Sequence, residues 1–152
     1  MSDSRYDTVK HIQKVRQLGM LLEYEFQDRL LNHDKSKLEE PEKSIFDEYS
    51  EKLGKTEYGS DEYKKNLAEM EVALYHHYAN NRHHPEHFKD GIKGMNLIDI
   101  LEMFVDWRAS SLRMKETSLD DFIKSIVLNQ KRFNMSDDLT QILINTAEEY
   151  FK

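Results

Sequence analysis

The chain has 152 residues, 22 Lys and Arg against 29 Asp and Glu for a formal charge of -7, 38% hydrophobic and 34% charged residues, and no cysteine. Such a length suits one domain with one core. The negative balance excludes a general affinity for nucleic-acid backbone, and the missing thiols exclude disulfides and thiolate metal sites, so any metal falls to His, Asp, Glu or Asn. The apolar runs are far shorter than the roughly 20 residues that span a bilayer, and "MSDSRYDTVK" has no apolar segment behind its charges. A cytoplasmic protein without a membrane partner is expected.

Two prolines and five glycines interrupt apolar spacing that is helical nearly throughout. The pattern predicts an all-α fold, a single compact bundle of about six to seven helices over the whole chain. The first helix runs from Ser4 to Leu31, with room for a break in the low twenties; His11, Val15, Leu18, Leu22 and Phe26 share one face. "HDKSKLEEPEKS" breaks the pattern, and Pro41 with Glu42 opens the next helix, where proline is tolerated and acids are favoured. Gly54 is its natural stop. "KTEYGSDEY" is a polar connection with the composition of a mobile flap. Ser60 then caps a long helix from Asp61 to Asn81. Pro85 disfavours helical backbone at His84, so that helix ends near Arg82 or His83. "KDGIKGMN" is loop and Leu97 to Leu112 helix. Ser118 caps a helix to Phe133, and Ser136 with Asp137 and Asp138 opens the last one to Tyr150, residues 118–151 packing on what precedes them.

Chemistry concentrates in "HYANNRHHPEHF", residues 77–88, which holds four of the seven histidines. With successive residues turned by about 100°, Tyr63, Leu67, Met70, Leu74, His77 and Asn81 fall in one narrow arc, so His77 faces the core beside Asn81 and His76 faces solvent. His11 likewise heads an apolar stripe. A buried polar group must find a partner, because leaving it unpaired costs a few kcal/mol. A core histidine bonded to a backbone carbonyl accounts for either one taken singly. Two of them, with His33-Asp34 following Leu30-Leu31, begin to converge, and His and Asp suit divalent metals, the second imidazole nitrogen being left for an orienting partner. Asp99, Glu102 and Asp106 line one side of their helix, largely opposite Leu97, Ile100, Leu101, Phe104 and Val105. A solvated acidic face is the simplest account of them, although three neighbouring acids repel one another unless a cation intervenes. "HHPEHF" lacks the HExxH spacing, and Pro85 would break the helix that motif requires, which disfavours a zinc protease.

Taken in order, His11, "LLNHDKSKL" at 30–38 and "NRHHPEHFKDGIKGMNLIDILEMFVDW" at 81–107 resemble the H, HD, H, H, D ligand series of the HD superfamily of metal-dependent phosphohydrolases. His33, Asp34 and Lys37 match HD-x-x-K; His83, His84, Asp90, Gly91 and Asp106 are reminiscent of its HD-GYP branch. The chain is more similar still to small HD-like proteins of bacteria and phages, through Asn81, His83 and His84 and through Glu102, Met103, Asp106 and Trp107. The resemblance covers about 8–110. It implies an HD-like helical bundle and one or two divalent ions, with Mn, Fe, Co, Ni, Zn and Mg indistinguishable. It further implies a core ligand set of His11, His33, Asp34 and Asp106, with His77 and His83 or His84 holding a second ion. His77 could instead act on the leaving group, Glu102 could orient the attacking water, and Lys37, Lys35 and Arg82, with Asn81 beside them, could meet the phosphate. The implied substrate is a nucleotide or other small phosphate ester. Two alternatives stay open: a non-enzymatic helical interaction protein, and an HD-like protein that keeps a metal only for stability.

Overall fold

The computed structural model describes residues 4–56, 60–114 and 118–151. The centre of the flap-like connection, residues 57–59, lies outside them. The described residues form seven α-helices and three short 3-10 turns, with no strand among them, so the fold is all-α as the periodicity predicts. No helix is long and apolar enough to cross a membrane among the described residues. The chain divides into two compact units, one ending at His33 and the other starting at Asp34.

The first unit is α1, Ser4–Asn32, a helix of 29 residues. No proline interrupts it, and the break allowed for in the low twenties does not occur. Gly19 is accommodated within the helix, where an added Cβ would meet nothing within 4 Å. Its end is closed locally: the Asn32 side-chain amide donates to the Asp28 carbonyl at 2.9 Å, and the His33 N–H reaches the Leu30 carbonyl at 3.4 Å. The second of these satisfies one of the last four carbonyls, which have no partner within the helix.

The second unit opens with Asp34 in the left-handed region, φ 56°, a conformation that Asp tolerates better than most residues. A 3-10 turn over Lys35–Leu38 follows, then α2 at Glu42–Lys55. Gly54 does not stop α2, which continues through it. The helix expected from Asp61 to Asn81 is two helices, α3 at Asp61–Glu69 and α4 at Glu71–Asn80. They meet at Met70, whose N–H is shared between the carbonyls of Asn66 and Leu67, each at 3.1 Å. That shared bond tightens the last turn of α3, as is common at helix ends, and it lets the Met70 side chain bury. α4 stops at Asn80, two or three residues before the end predicted for it. Beyond it the backbone is extended at Asn81 and His84, and short 3-10 turns occupy Pro85–His87 and Gly91–Gly94. The remaining helices are α5 at Leu97–Met114, α6 at Leu119–Phe133 and α7 at Asp137–Tyr150.

Three of the starts are set by the serines the sequence offers. Ser60, Ser118 and Ser136 accept from the N–H groups of Tyr63, Asp121 and Leu139 at 3.1, 3.2 and 3.2 Å. The apolar core lies between α5, α6 and α7 and is built on Met103, Phe104, Phe122, Ile126, Leu143 and Ala147. The Phe104 ring centroid is 5.7 Å from that of Phe122 and 5.2 Å from that of Phe151. Phe122→Ala is expected to destabilise the fold by about 3–5 kcal/mol in urea unfolding, through the lost burial and the cavity left behind.

Candidate metal centre

The site gathers on the side of the second unit where the 34–38 turn, α2 and α4 pack together. Each segment is local chemistry in origin. Asp34 stands on a left-handed turn; His77 is in the last turn of α4; and the proline after His84 ends helical backbone, so His84 is extended and His83 lies in the turn that joins it to Asn81.

Two imidazoles each set Nδ1 beside a buried carboxylate, His77 through a hydrogen bond. His77 Nδ1 lies 2.9 Å from Glu42 Oε2, and His83 Nδ1 lies 3.1 Å from Glu102 Oε1. A carboxylate only accepts, so the hydrogen bond to Glu42 places the His77 proton on Nδ1 and leaves its lone pair on Nε2. Both Nε2 atoms stand near one oxygen: Asp34 Oδ1 is 3.4 Å from His77 Nε2 and 3.5 Å from His83 Nε2. His84 completes the group, its Nε2 2.8 Å from His77 Nε2. The donor atoms of Asp34, His77, His83 and His84 all lie within 4.8 Å of one another.

Electrostatics favour the neutral form of His77 and His84. Burial pushes His77 below its ordinary value, and the Lys37 ammonium adds to that, against the pull of Asp34 and Glu42. Burial, with His83 and His77 alongside, pushes His84 down to about 3, against Asp106 and Asp34. Neutral imidazoles and a carboxylate are the protonation states that metal binding requires. The spacing fits as well. Two donors each about 2.1 Å from one ion stand roughly 3.0 Å apart at a right angle and roughly 3.4 Å apart in a tetrahedron, close to the separations found here.

Nothing in the sequence singles out Glu42 beyond its place at a helix start. Its side chain is 0% exposed. It accepts from His76 Nδ1 at 2.7 Å as well as from His77, and Ser36 also bonds to it. Burial would raise its carboxyl, but the bonds from His76, Ser36 and His77 outweigh that and hold it below the usual value. His76 is therefore not simply turned to solvent. Nor do Asp99, Glu102 and Asp106 form a solvated acidic face: Asp99 and Glu102 are 0% and 2% exposed, and Asp106 is half-buried. Partners from the 81–84 stretch account for this burial, His83 for Glu102 and Arg82 for Asp99.

Arg82 donates to Asp99 through Nε at 3.0 Å and Nη2 at 2.9 Å, and Asp99 also accepts from the Asn96 N–H at 2.9 Å in a reciprocal cap of α5. This bidentate clamp ties the histidine-bearing stretch to α5. Asn81 is buried and turned inward, donating to Ser36 Oγ at 2.7 Å and to the His77 carbonyl at 2.8 Å. Lys37 Nζ rests on Asp34 Oδ2 at 2.6 Å, and Lys35 is exposed. His11 and His33 belong to the first unit.

The protein is thus an all-α protein with a buried histidine and aspartate group that could hold a metal ion. It belongs to the family of unknown function DUF5662, which it matches over residues 1–149. No curated protein and no solved structure matches it.

Proposed function

We propose that the protein is a metal-dependent phosphohydrolase acting on a nucleotide or other small phosphate ester. The observation that carries this is the gathering of the His77 and His83 Nε2 atoms near the single oxygen of Asp34, with a third imidazole beside them. Neutral imidazoles and a carboxylate gathered this closely are the donor set a divalent cation takes, and orienting a ligand histidine through its other nitrogen, as Glu42 does for His77, is the usual way a protein prepares a metal site. Asp34, His77, His83 and His84 would hold a divalent ion, of which Mn, Fe, Co, Ni, Zn and Mg are all compatible. A divalent ion bound there would polarise a phosphoryl oxygen and bring the pKa of a water toward about 7.

The phosphate part of the proposal is supported by the resemblance to the HD superfamily and by Lys37. Its ammonium already stands on a ligand carboxylate, so it is close enough to neutralise a phosphate placed at the same ion. Lys35, on the same turn, adds positive charge at the surface. Arg82 would act by holding His83 and His84 in place, since both of its bonds go to Asp99.

A structural metal is the second reading, favoured by one observation: four protein donors suffice to close a tetrahedral shell. The test is phosphate release from nucleoside mono-, di- and triphosphates and p-nitrophenyl phosphate, by protein reconstituted with Mn, Fe or Zn and with chelator as control. Metal-dependent release is expected. Metal binding that raises the melting temperature but releases no phosphate from any of these esters would replace the hydrolase with the structural site.

A further inference from the structure

We infer that Glu42, supported by Ser36 and Asn81, is a positioning residue that fixes the tautomer of His77 and so presents its Nε2 to Asp34 and His84. The consequence for metal affinity rests on the metal centre proposed above; the tautomer itself does not.

The inference follows from where each hydrogen goes. Asn81 Nδ2 stands 2.7 Å from Ser36 Oγ, 2.8 Å from the His77 carbonyl and 3.1 Å from His77 Nδ1, and its two hydrogens go to the two nearer acceptors, both oxygens. The Ser36 hydroxyl, already accepting from Asn81, has its own hydrogen for Glu42, to which it bonds. Glu42 then receives the ring N–H of His76 on Oε1 and that of His77 on Oε2, at 2.7 and 2.9 Å. The shorter contact decides the tautomer: a proton moved from Nδ1 to Nε2 of His77 would set a lone pair against the Glu42 carboxylate at 2.9 Å and take an Asn81 hydrogen from an oxygen acceptor. A fully buried carboxylate is expensive to keep, and here three donors, His76, His77 and Ser36, compensate for it. A residue serving only to begin a helix would have no need of burial, because first-turn acids act from the surface. The same bonds give Asn81 a positioning part in place of contact with substrate.

The test uses metal-free, 15N-histidine-labelled whole chain, in which long-range proton–nitrogen spectra distinguish the two tautomers, followed by Zn(II) titration calorimetry. His77 is expected as the Nδ1–H tautomer in the wild type. Glu42→Gln, which can offer an amide N–H to one of the rings, and Glu42→Asp, which keeps the charge but draws the carboxylate back, are expected to populate the Nε2–H form. Both are expected to weaken Zn(II) binding by about 10–100-fold. A wild-type His77 protonated at Nε2 overturns the inference whether or not either variant folds, and so do variants with unchanged tautomer and unchanged affinity. A wild type locked at Nδ1–H that releases the lock in the variants, yet binds no Zn(II), upholds Glu42 as the positioning residue and removes the metal centre.

Discussion

Asp34→Ala is expected to take the metal away from the protein while leaving its helices in place. Asp34 supplies the one oxygen on which the Nε2 atoms of His77 and His83 both converge. It is also the only charged donor of the group, so its loss removes the attraction that offsets desolvation of a dication. Removing an outer partner of a metal ligand costs about 10–100-fold in affinity, and removing this central ligand should cost more than 100-fold. The backbone at Asp34 is left-handed, φ 56°, where alanine is strained by about 1–2 kcal/mol. Asp34→Asn is therefore the companion variant: asparagine accepts that conformation and keeps the shape while discarding the charge. Elemental analysis of protein purified without an affinity tag or chelator is expected to find metal in the wild type and none in either variant. Metal retained at wild-type stoichiometry in Asp34→Asn would mean that the charge at this position does not hold it, and the centre would have to be sought away from the convergence described here.

What the sequence made visible of this arrangement was whatever is decided within a turn or two of the residue concerned. Ser60, Ser118 and Ser136 announce helix starts because a cap bonds three residues ahead, and Pro85 announces the extended His84 because the clash is with its immediate neighbour. His77 was visible as core-facing for the same reason, since helical phase is a local property. The kink at Met70 was not, because nothing in "LAEMEVAL" opposes a helix and the shared hydrogen bond there is a matter of packing. The acids of α5 show the limit most clearly. Counted by type, Asp99 and Glu102 belong outside, but Arg82 and His83 bury them from a segment separated by the whole 85–96 loop. Glu42 is further out of reach. Its histidine partners are 34 and 35 residues along the chain, and at its own position it looks like any acid at a helix start. The family resemblance named Glu102, but as a residue orienting water and not as the neighbour of His83, and it gave Glu42 no place at all.

The metal-free protein is also expected to lose stability steadily as the pH falls from about 6.5, well above the range where carboxylates alone would act. Burial holds His77 below its ordinary value, with the Lys37 ammonium adding to the effect, and holds His84 down at about 3, with the neighbouring His83 and His77 rings adding to it. On unfolding both rings return to the ordinary histidine value and take up protons that the fold refuses. Between that value and about 3, then, the unfolded state binds more protons than the folded one, and unfolding becomes easier with each step toward acid. Glu42 works in the same direction at lower pH, because a carboxyl held below its usual value is a carboxylate the fold needs. For His84 alone the loss by about pH 5 is on the order of 2 kcal/mol, taking an unfolded value of about 6.5. Urea unfolding in chelator at about pH 7 and about pH 5 is expected to show this as a lowered midpoint with little change in slope. His84→Gln, which cannot titrate, should remove the larger part of the difference. A midpoint equally high at both pH values would mean that the rings accept protons within the fold, and protonated rings have no lone pairs to offer a metal ion.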